Sequence, residues 1–131
     1  MRILGIDYGE RKVGVALGDT ESKIASPWVI LENEGHGETI KQIKLICERE
    51  QVDRVVVGIP HDMRNPQSET VQAGNVRRFI LDLRSIGMPV DEIDEMLSTA
   101  QAQHAVQQSG ALEDDAVAAA ILLQSYLDKQ K

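Results

Sequence analysis

The sequence predicts an α/β fold in which a mixed five-stranded sheet is covered by helices on both faces. Two observations support this prediction: three strand-like segments come first along the chain, and helical and strand-like segments then alternate. Such an order joins an antiparallel three-strand meander to parallel strands within one sheet. The chain has 131 residues, of which 42% are hydrophobic, and this suits one domain over residues 1–131.

Alternating apolar residues and turn signals predict the meander. Residues 1–8 form an apolar strand, and a turn at residues 9–11 leads into a second strand over residues 12–18. One face of this second strand consists of glycine and alanine. A third strand around residues 26–31 completes the meander, and the glycine-rich segment 35–37 breaks the chain after it.

Beyond residue 37 the hydrophobic pattern changes to helical spacing and then alternates between helices and short strands. The predicted elements are a helix over 38–50, a strand over 53–60, a helix that includes 76–83, a strand over 90–93, a helix over 98–108 and a helix over 114–128. The strand over 53–60 is apolar on both faces, which is typical of an interior parallel strand. The last helix is apolar over most of its circumference and should be buried.

Composition restricts the classes of protein and of site. The single cysteine, Cys47, excludes an internal disulfide and a cysteine-rich zinc site, and its helical apolar position is typical of a core residue. No apolar run approaches the roughly 18 residues that a membrane span needs, so we expect a cytoplasmic protein. The net charge of −7 opposes binding to nucleic acid, so any such binding must use a local basic patch.

Carboxylates from three separate parts of the sequence are the strongest candidates for chemistry. Asp7 lies in an apolar strand, where a carboxylate is costly to bury unless it is paired, protonated or bound to metal. Asp94 and Glu95 follow another apolar strand; if that strand lies beside the first, the acids converge at one edge of the sheet. Asp115 opens the last helix, and two alanines on its face would allow it to approach Asp7.

A cluster of carboxylates repels itself unless cations lie between its members. Mg²⁺ and Mn²⁺ prefer oxygen ligands, and two such ions about 3.5–4 Å apart can clamp the attacking and leaving oxygens of a phosphodiester. Hydrolysis of nucleic acid with Mg²⁺ or Mn²⁺ is therefore the expected chemistry. Simpler interpretations stay open: Asp115 could be a first-turn acid of its helix, and Asp94 and Glu95 could be solvated loop residues.

Four blocks of sequence, in order, resemble the signatures of the YqgF/RuvX family. They are Asp7-Tyr8-Gly9 with residues 12–16, the strand residues 56–60, residues 94–99, and Asp115 with residues 118–119 and 123–127. The resemblance implies an RNase H-like fold and a nuclease that acts on Holliday junctions or on the precursor of 16S ribosomal RNA. It also implies that Asp7, Glu95 and Asp115 are catalytic and bind the metal, with Asp94 as an adjacent candidate ligand.

Two departures from the family pattern reduce the positive charge near a substrate. Met96 stands where the family commonly has arginine, and the segment before Asp115 is short and acidic instead of long and lysine-rich. The best candidates for a phosphate-binding patch are Arg11, Lys12, Arg64, Arg77 and Arg78. A catalytically weak or inactive binding or regulatory module in ribosome maturation or transcription is therefore the alternative function. The expected partner is a structured RNA precursor or branched DNA, bound by a monomer or a homodimer.

Overall fold

Five strands and three helices make up the described part of the chain, which comprises residues 1–59, 71–94 and 114–129 of a computed structural model. They are β1 (Arg2–Tyr8), β2 (Lys12–Asp19), β3 (Ile24–Glu32), α1 (His36–Glu50), β4 (Arg54–Ile59), α2 (Val71–Ser85), β5 (Val90–Asp94) and α3 (Asp114–Lys129). The helix predicted over 98–108 lies outside these residues.

The five strands form one mixed sheet in the order β3-β2-β1-β4-β5. The first three strands pair antiparallel, and β1, β4 and β5 run parallel to one another. Because β4 is paired on both sides and covered on both faces, its apolar run of Val55, Val56 and Val57 is fully buried. The predicted mixed sheet, with its antiparallel meander and parallel strands, is confirmed.

Helices cover both faces of the sheet and divide the core into two clusters. One face packs against α1 and α2, with side chains such as Val15, Ile43 and Phe79 at its centre. The other face packs against α3, whose Ala119 and Leu123 lie on the sheet. The last helix is buried along most of its length, as its apolar sequence predicts. No helix in the described ranges has the length and apolar character needed to cross a membrane.

Helix α1 begins earlier than the sequence predicts. The segment over residues 35–37 was expected to break the chain, but His36 and Gly37 form the first turn of the helix. The helix starts after Gly35, which has a φ of 105°, and the amide of Thr39 donates a hydrogen bond of 3.0 Å to the Gly35 carbonyl. A glycine suits this position because it has no Cβ atom and adopts a positive φ without a steric clash. The helix ends at Glu50, as predicted.

Candidate active site

Asp7 lies near the carboxyl end of the central strand β1, on the face that α3 covers. Side chains alternate along a strand, so Asp7 shares this face with Ile3 and Gly5, and Ile3 belongs to the core beneath α3. The residue is half-buried. Its cross-strand neighbour on β2 is Gly14. Asp7 therefore has two glycines beside it on this face: Gly5 on the same strand and Gly14 on β2.

Asp115, in the first turn of α3, lies directly on Gly14. A Cβ atom added to Gly14 would come within 1.8 Å of the Asp115 backbone oxygen and within 2.9 Å of the Ala116 nitrogen. Only glycine permits a helix backbone to lie this close to a strand. Because Gly14 is the cross-strand partner of Asp7, the structure brings the backbones of these two acidic residues to one level on one face of the sheet.

The other predicted acids follow β5. Glu95 and the side chain of Asp94 lie outside the described residues, but the position of β5 is known. The condition stated for convergence, that this strand lies beside β1, is not met because β4 lies between them. Two inter-strand spacings, together about 10 Å, separate the backbones of β1 and β5. On the α3 face the end of β4 carries Gly58, which has no side chain to fill that gap.

Of the four predicted metal ligands, Asp7 and Asp115 have side chains within the described ranges. Within those ranges no group of three or more His, Cys, Asp or Glu side chains is arranged to hold a metal ion. Two carboxylates offer hard oxygen donors of the type that Mg²⁺ and Mn²⁺ prefer. A further acid from the end of β5 would have to reach across Gly58.

Of the predicted phosphate-binding residues, Arg11 lies in the turn that joins β1 to β2, and Lys12 is the first residue of β2. Both side chains are exposed. With Asp115 they line a shallow depression of about 400 Å³, together with Gly9 and Glu10. The structure therefore places a pair of cations beside one of the candidate acids, although the two groups are far apart in sequence.

The predicted residues Arg77 and Arg78 are exposed on α2. They come directly before Phe79, whose ring packs against that of Tyr8 with a centroid distance of 4.6 Å. Since Tyr8 follows Asp7, these arginines lie at the level of the same end of β1, but towards the opposite face of the sheet. The fifth candidate for the patch, Arg64, lies outside the described residues.

A polar cluster that the sequence analysis missed lies at the opposite edge of the sheet. The Tyr126 hydroxyl donates a hydrogen bond of 2.5 Å to the Asp91 carboxylate, which accepts another of 2.7 Å from Arg54. The bond from Tyr126, followed by the interaction with Arg54, lowers the pKa of Asp91. Burial, followed by the bond to Asp91, raises the pKa of Tyr126. The available signal was an acid, Asp91, inside a short apolar strand.

Two further residues that could carry chemistry, Cys47 and His36, take part in packing. Cys47 is buried in the core, and burial, followed by the charge of Glu48, raises the pKa of its thiol to about 11, which opposes a nucleophilic role. His36 is half-buried: its ring packs edge-on against Tyr8, and its Nδ1 atom lies 3.3 Å from the Asp82 carboxylate. The reason is the early start of α1, which turns His36 inward. His61 and His104 lie outside the described residues.

The chain matches a family model described as "RuvX: Holliday junction resolvase" over residues 1–129. One relative, from Chloroflexus aggregans, is 36% identical over 136 residues that cover 98% of this chain and 94% of that protein. Another, from Caldanaerobacter subterraneus subsp. tengcongensis, is 36% identical over 142 residues that cover 100% of this chain and 99% of that protein. Both bear the name "Putative pre-16S rRNA nuclease".

Solved structures show the same fold. T. thermophilus RuvC in complex with a Holliday junction substrate aligns with a TM-score of 0.65 and 16% identity, covering 100% of this chain and 98% of that one. The fowlpox virus Holliday junction resolvase aligns with a TM-score of 0.62 and 13% identity, covering 99% and 100%. At these identities the likeness concerns the fold alone, and it identifies the five-stranded sheet as that of the RuvC-like, RNase H-like proteins.

Proposed function

The chain belongs to the RuvX family, and on that premise we propose that it is a metal-dependent nuclease that hydrolyses phosphodiester bonds of structured nucleic acid. One observation supports this proposal above the others: the first turn of α3 lies on Gly14, beside the strand position of Asp7. Because Gly14 has no side chain, the backbone of Asp115 can lie against β2 at the level of Asp7. This contact brings two acidic residues of one face together.

The chemistry of these donors suits Mg²⁺ or Mn²⁺. Asp7 and Asp115 would hold the ion, and the family resemblance adds Glu95, with Asp94 adjacent. When bound, such an ion polarises the phosphodiester and lowers the pKa of an attacking water. The carboxylates orient that chemistry at the carboxyl end of β1, where open α/β sheets bind their ligands.

The protein's own contribution to substrate binding is the basic turn between β1 and β2. Arg11 and Lys12 are exposed beside Asp115 and would hold a phosphate next to the acids. Arg77, Arg78 and Arg64 would extend this contact along the nucleic acid. Because the whole chain carries a net charge of −7, binding depends on this local patch, and affinity should fall steeply as salt rises.

The substrate we favour is the precursor of 16S ribosomal RNA, because the curated relatives that cover nearly the whole chain are named for it. A nuclease that acts on this RNA would work in the cytoplasm, in ribosome maturation. It would need one active site, which a monomer provides. Branched DNA is the competing substrate. A junction resolvase cuts two strands and would need two active sites, and therefore a homodimer.

Cleavage of a labelled precursor RNA and a labelled four-way DNA junction, side by side in Mg²⁺ or Mn²⁺, tests this proposal. Asp7→Asn and Asp115→Asn should each abolish turnover and weaken metal binding measured by calorimetry, because each removes a ligand charge at nearly constant volume. The matched control is Asp128→Asn, which removes the same charge from the exposed last turn of the same helix. This control should cleave like the wild type.

Two outcomes would contradict the proposal. Unchanged metal affinity in Asp7→Asn would reject this acid as a ligand. A wild-type protein that cleaves neither substrate with either metal at low salt, but binds one of them, would favour the binding or regulatory module instead.

A further inference from the structure

Asn33 links the basic turn to the start of α1. Its side-chain amide donates a hydrogen bond of 2.7 Å to the Gly9 carbonyl, and its backbone amide donates one of 2.9 Å to the Arg11 carbonyl. Its side-chain oxygen accepts hydrogen bonds from the Gly35 amide at 3.1 Å and from the Thr39 hydroxyl at 3.4 Å. One half-buried residue therefore binds two carbonyls of the turn and the first turn of the helix.

The backbone groups fix the orientation of the Asn33 amide. A carbonyl can only accept a hydrogen bond and an amide N–H can only donate one, so the nitrogen must face Gly9 and the oxygen must face Gly35. A carboxylate at this position would keep the acceptor for Gly35 and lose the donor for Gly9. The two functions of the side chain can therefore be separated by a single isosteric substitution.

The turn that Asn33 holds carries the candidate phosphate ligands. Glu10, Arg11 and Lys12 are all exposed, so packing does little to fix the conformation of this segment. Gly9 is confined, because a Cβ atom there would come within 2.6 Å of the Lys12 carbonyl oxygen. A turn that is tight but exposed benefits from hydrogen bonds that fix it before the substrate arrives, since ordering it upon binding would reduce affinity.

We propose that Asn33 is a positioning residue for substrate binding, which fixes the turn over residues 9–12 so that Arg11 and Lys12 meet the phosphate beside Asp115. The inference rests on the proposed function, because the phosphate belongs to the nucleic acid substrate. Asn33 acts through the turn and takes no part in the bond cleavage. Its loss should therefore weaken binding and leave turnover at saturating substrate unchanged.

Three variants separate this role from a general effect on folding. Asn33→Asp removes the donor to Gly9 and keeps the acceptor, and Asn33→Ala removes both without adding a charge that could itself repel phosphate. The matched control is Thr39→Val, which is nearly isosteric and removes the other side-chain partner of Asn33, leaving the bond to Gly9 in place. Thermal unfolding of each variant shows whether the fold persists.

Two measurements decide the outcome. NMR order parameters of the backbone at residues 9–12 should fall in both Asn33 variants and stay unchanged in Thr39→Val, as expected for loss of the hydrogen bond to the Gly9 carbonyl. Affinity for the labelled precursor RNA and the labelled DNA junction should fall roughly fivefold to tenfold in the Asn33 variants, in KM and not in kcat.

The results discriminate this inference from the proposed function. Unchanged order parameters at the turn would overturn the positioning role whatever the activity, and so would lower order parameters with unchanged affinity. If Asn33→Asp alone weakened binding, charge repulsion would explain the result and the inference would fall. If the wild type bound neither nucleic acid while the order parameters of the Asn33 variants fell as expected, the proposed function would fail and the link between Asn33 and the turn would stand.

Discussion

The two faces of the sheet differ in side-chain size on β1 and β2. The face beneath α1 and α2 presents large residues, among them Leu4, Ile6, Val13, Val15 and, from the helices, Ile43, Phe79 and Leu83. The face beneath α3 presents Gly5, Gly14, Ala16 and Gly18, and α3 contributes Ala119 and Ala120. The first face stabilises the fold by the volume it buries, whereas the second brings the helix backbone close to the strands.

This difference explains why the candidate acids belong to the α3 face. Large side chains hold a helix further from a sheet than glycine and alanine do, so the α3 face lets the backbones that carry Asp7 and Asp115 lie closer together. On the α3 face, contact through Gly14 at one end and bonds at the other end fix the helix along its length. At that other end, Gln124 donates a hydrogen bond of 2.7 Å to the Lys23 carbonyl and accepts one of 2.9 Å from the Ala25 amide.

The largest loss of stability should come from the face of large residues. Phe79 is fully buried and packs against Tyr8, so Phe79→Ala should lower the free energy of unfolding by about 3–5 kcal/mol. The control on the α3 face is Ala120→Gly, which should cost about 1 kcal/mol, mostly through helix propensity. Urea titration measures both. If Phe79→Ala lowered the free energy of unfolding no more than Ala120→Gly does, the two faces would not differ in how they stabilise the fold.

The largest loss of activity from one added methyl group should come from the α3 face. Gly14→Ala places a methyl group where the Asp115 backbone lies, so the first turn of α3 must move, at a cost of about 1–3 kcal/mol. Cleavage should be lost in the protein that remains folded. The matched control is Gly18→Ala, whose added methyl would meet side-chain tips of Leu123 and Leu127 at 3.0–3.1 Å and the Ile24 carbonyl oxygen at 3.1 Å.

Gly18→Ala should cost less and retain cleavage, because its tightest side-chain neighbours are flexible tips and none of the atoms it would meet belongs to Asp7 or Asp115. Equal activity losses in Gly14→Ala and Gly18→Ala would mean that close approach in general, and not the approach at Asp115, supports catalysis. Circular dichroism and the two cleavage assays make this comparison.

The smallest effect should come from the cluster at the opposite end of α3. Tyr126→Phe removes the hydrogen bond to Asp91 and should cost about 1 kcal/mol, since a hydrogen bond to a charged group at a partly exposed site is only moderately stabilising. The pKa of Asp91 is lowered in the folded state, so its stabilisation is present at neutral pH and disappears as pH falls below about 4.

The pKa of Tyr126 is raised in the folded state, so its contribution is present at neutral pH and disappears as pH rises above about 10. The difference in unfolding free energy between the wild type and Tyr126→Phe should therefore be largest at neutral pH and shrink at both extremes. A difference that is independent of pH would assign the cost to packing. Cleavage at neutral pH should be close to that of the wild type.

Much of this architecture is predictable from local sequence patterns. Alternation identifies β1 and β2, and the apolar circumference of the last helix indicates its burial, because both depend on residues close together in the chain. The start of α1 was placed too late because glycine is read as a helix breaker, although a first turn tolerates it. The roles of all the predicted site residues stay predictions, and for Glu95, Asp94 and Arg64 the side chains also lie outside the described residues.

The sequence by itself determined the class of fold and the small-residue face of β2, because both follow from short-range periodicity. It also marked Asp7 as an acid in an apolar strand, whereas the choice of Glu95 and Asp115 rests on the family resemblance. Only the tertiary structure decided that β4 lies between β1 and β5, that Asp115 lies on Gly14, and that Asn33 holds the basic turn. These facts depend on contacts between segments distant in the chain. Local sequence does not tell which apolar strands are neighbours in the sheet, or which glycine a helix contacts, because tertiary packing decides both.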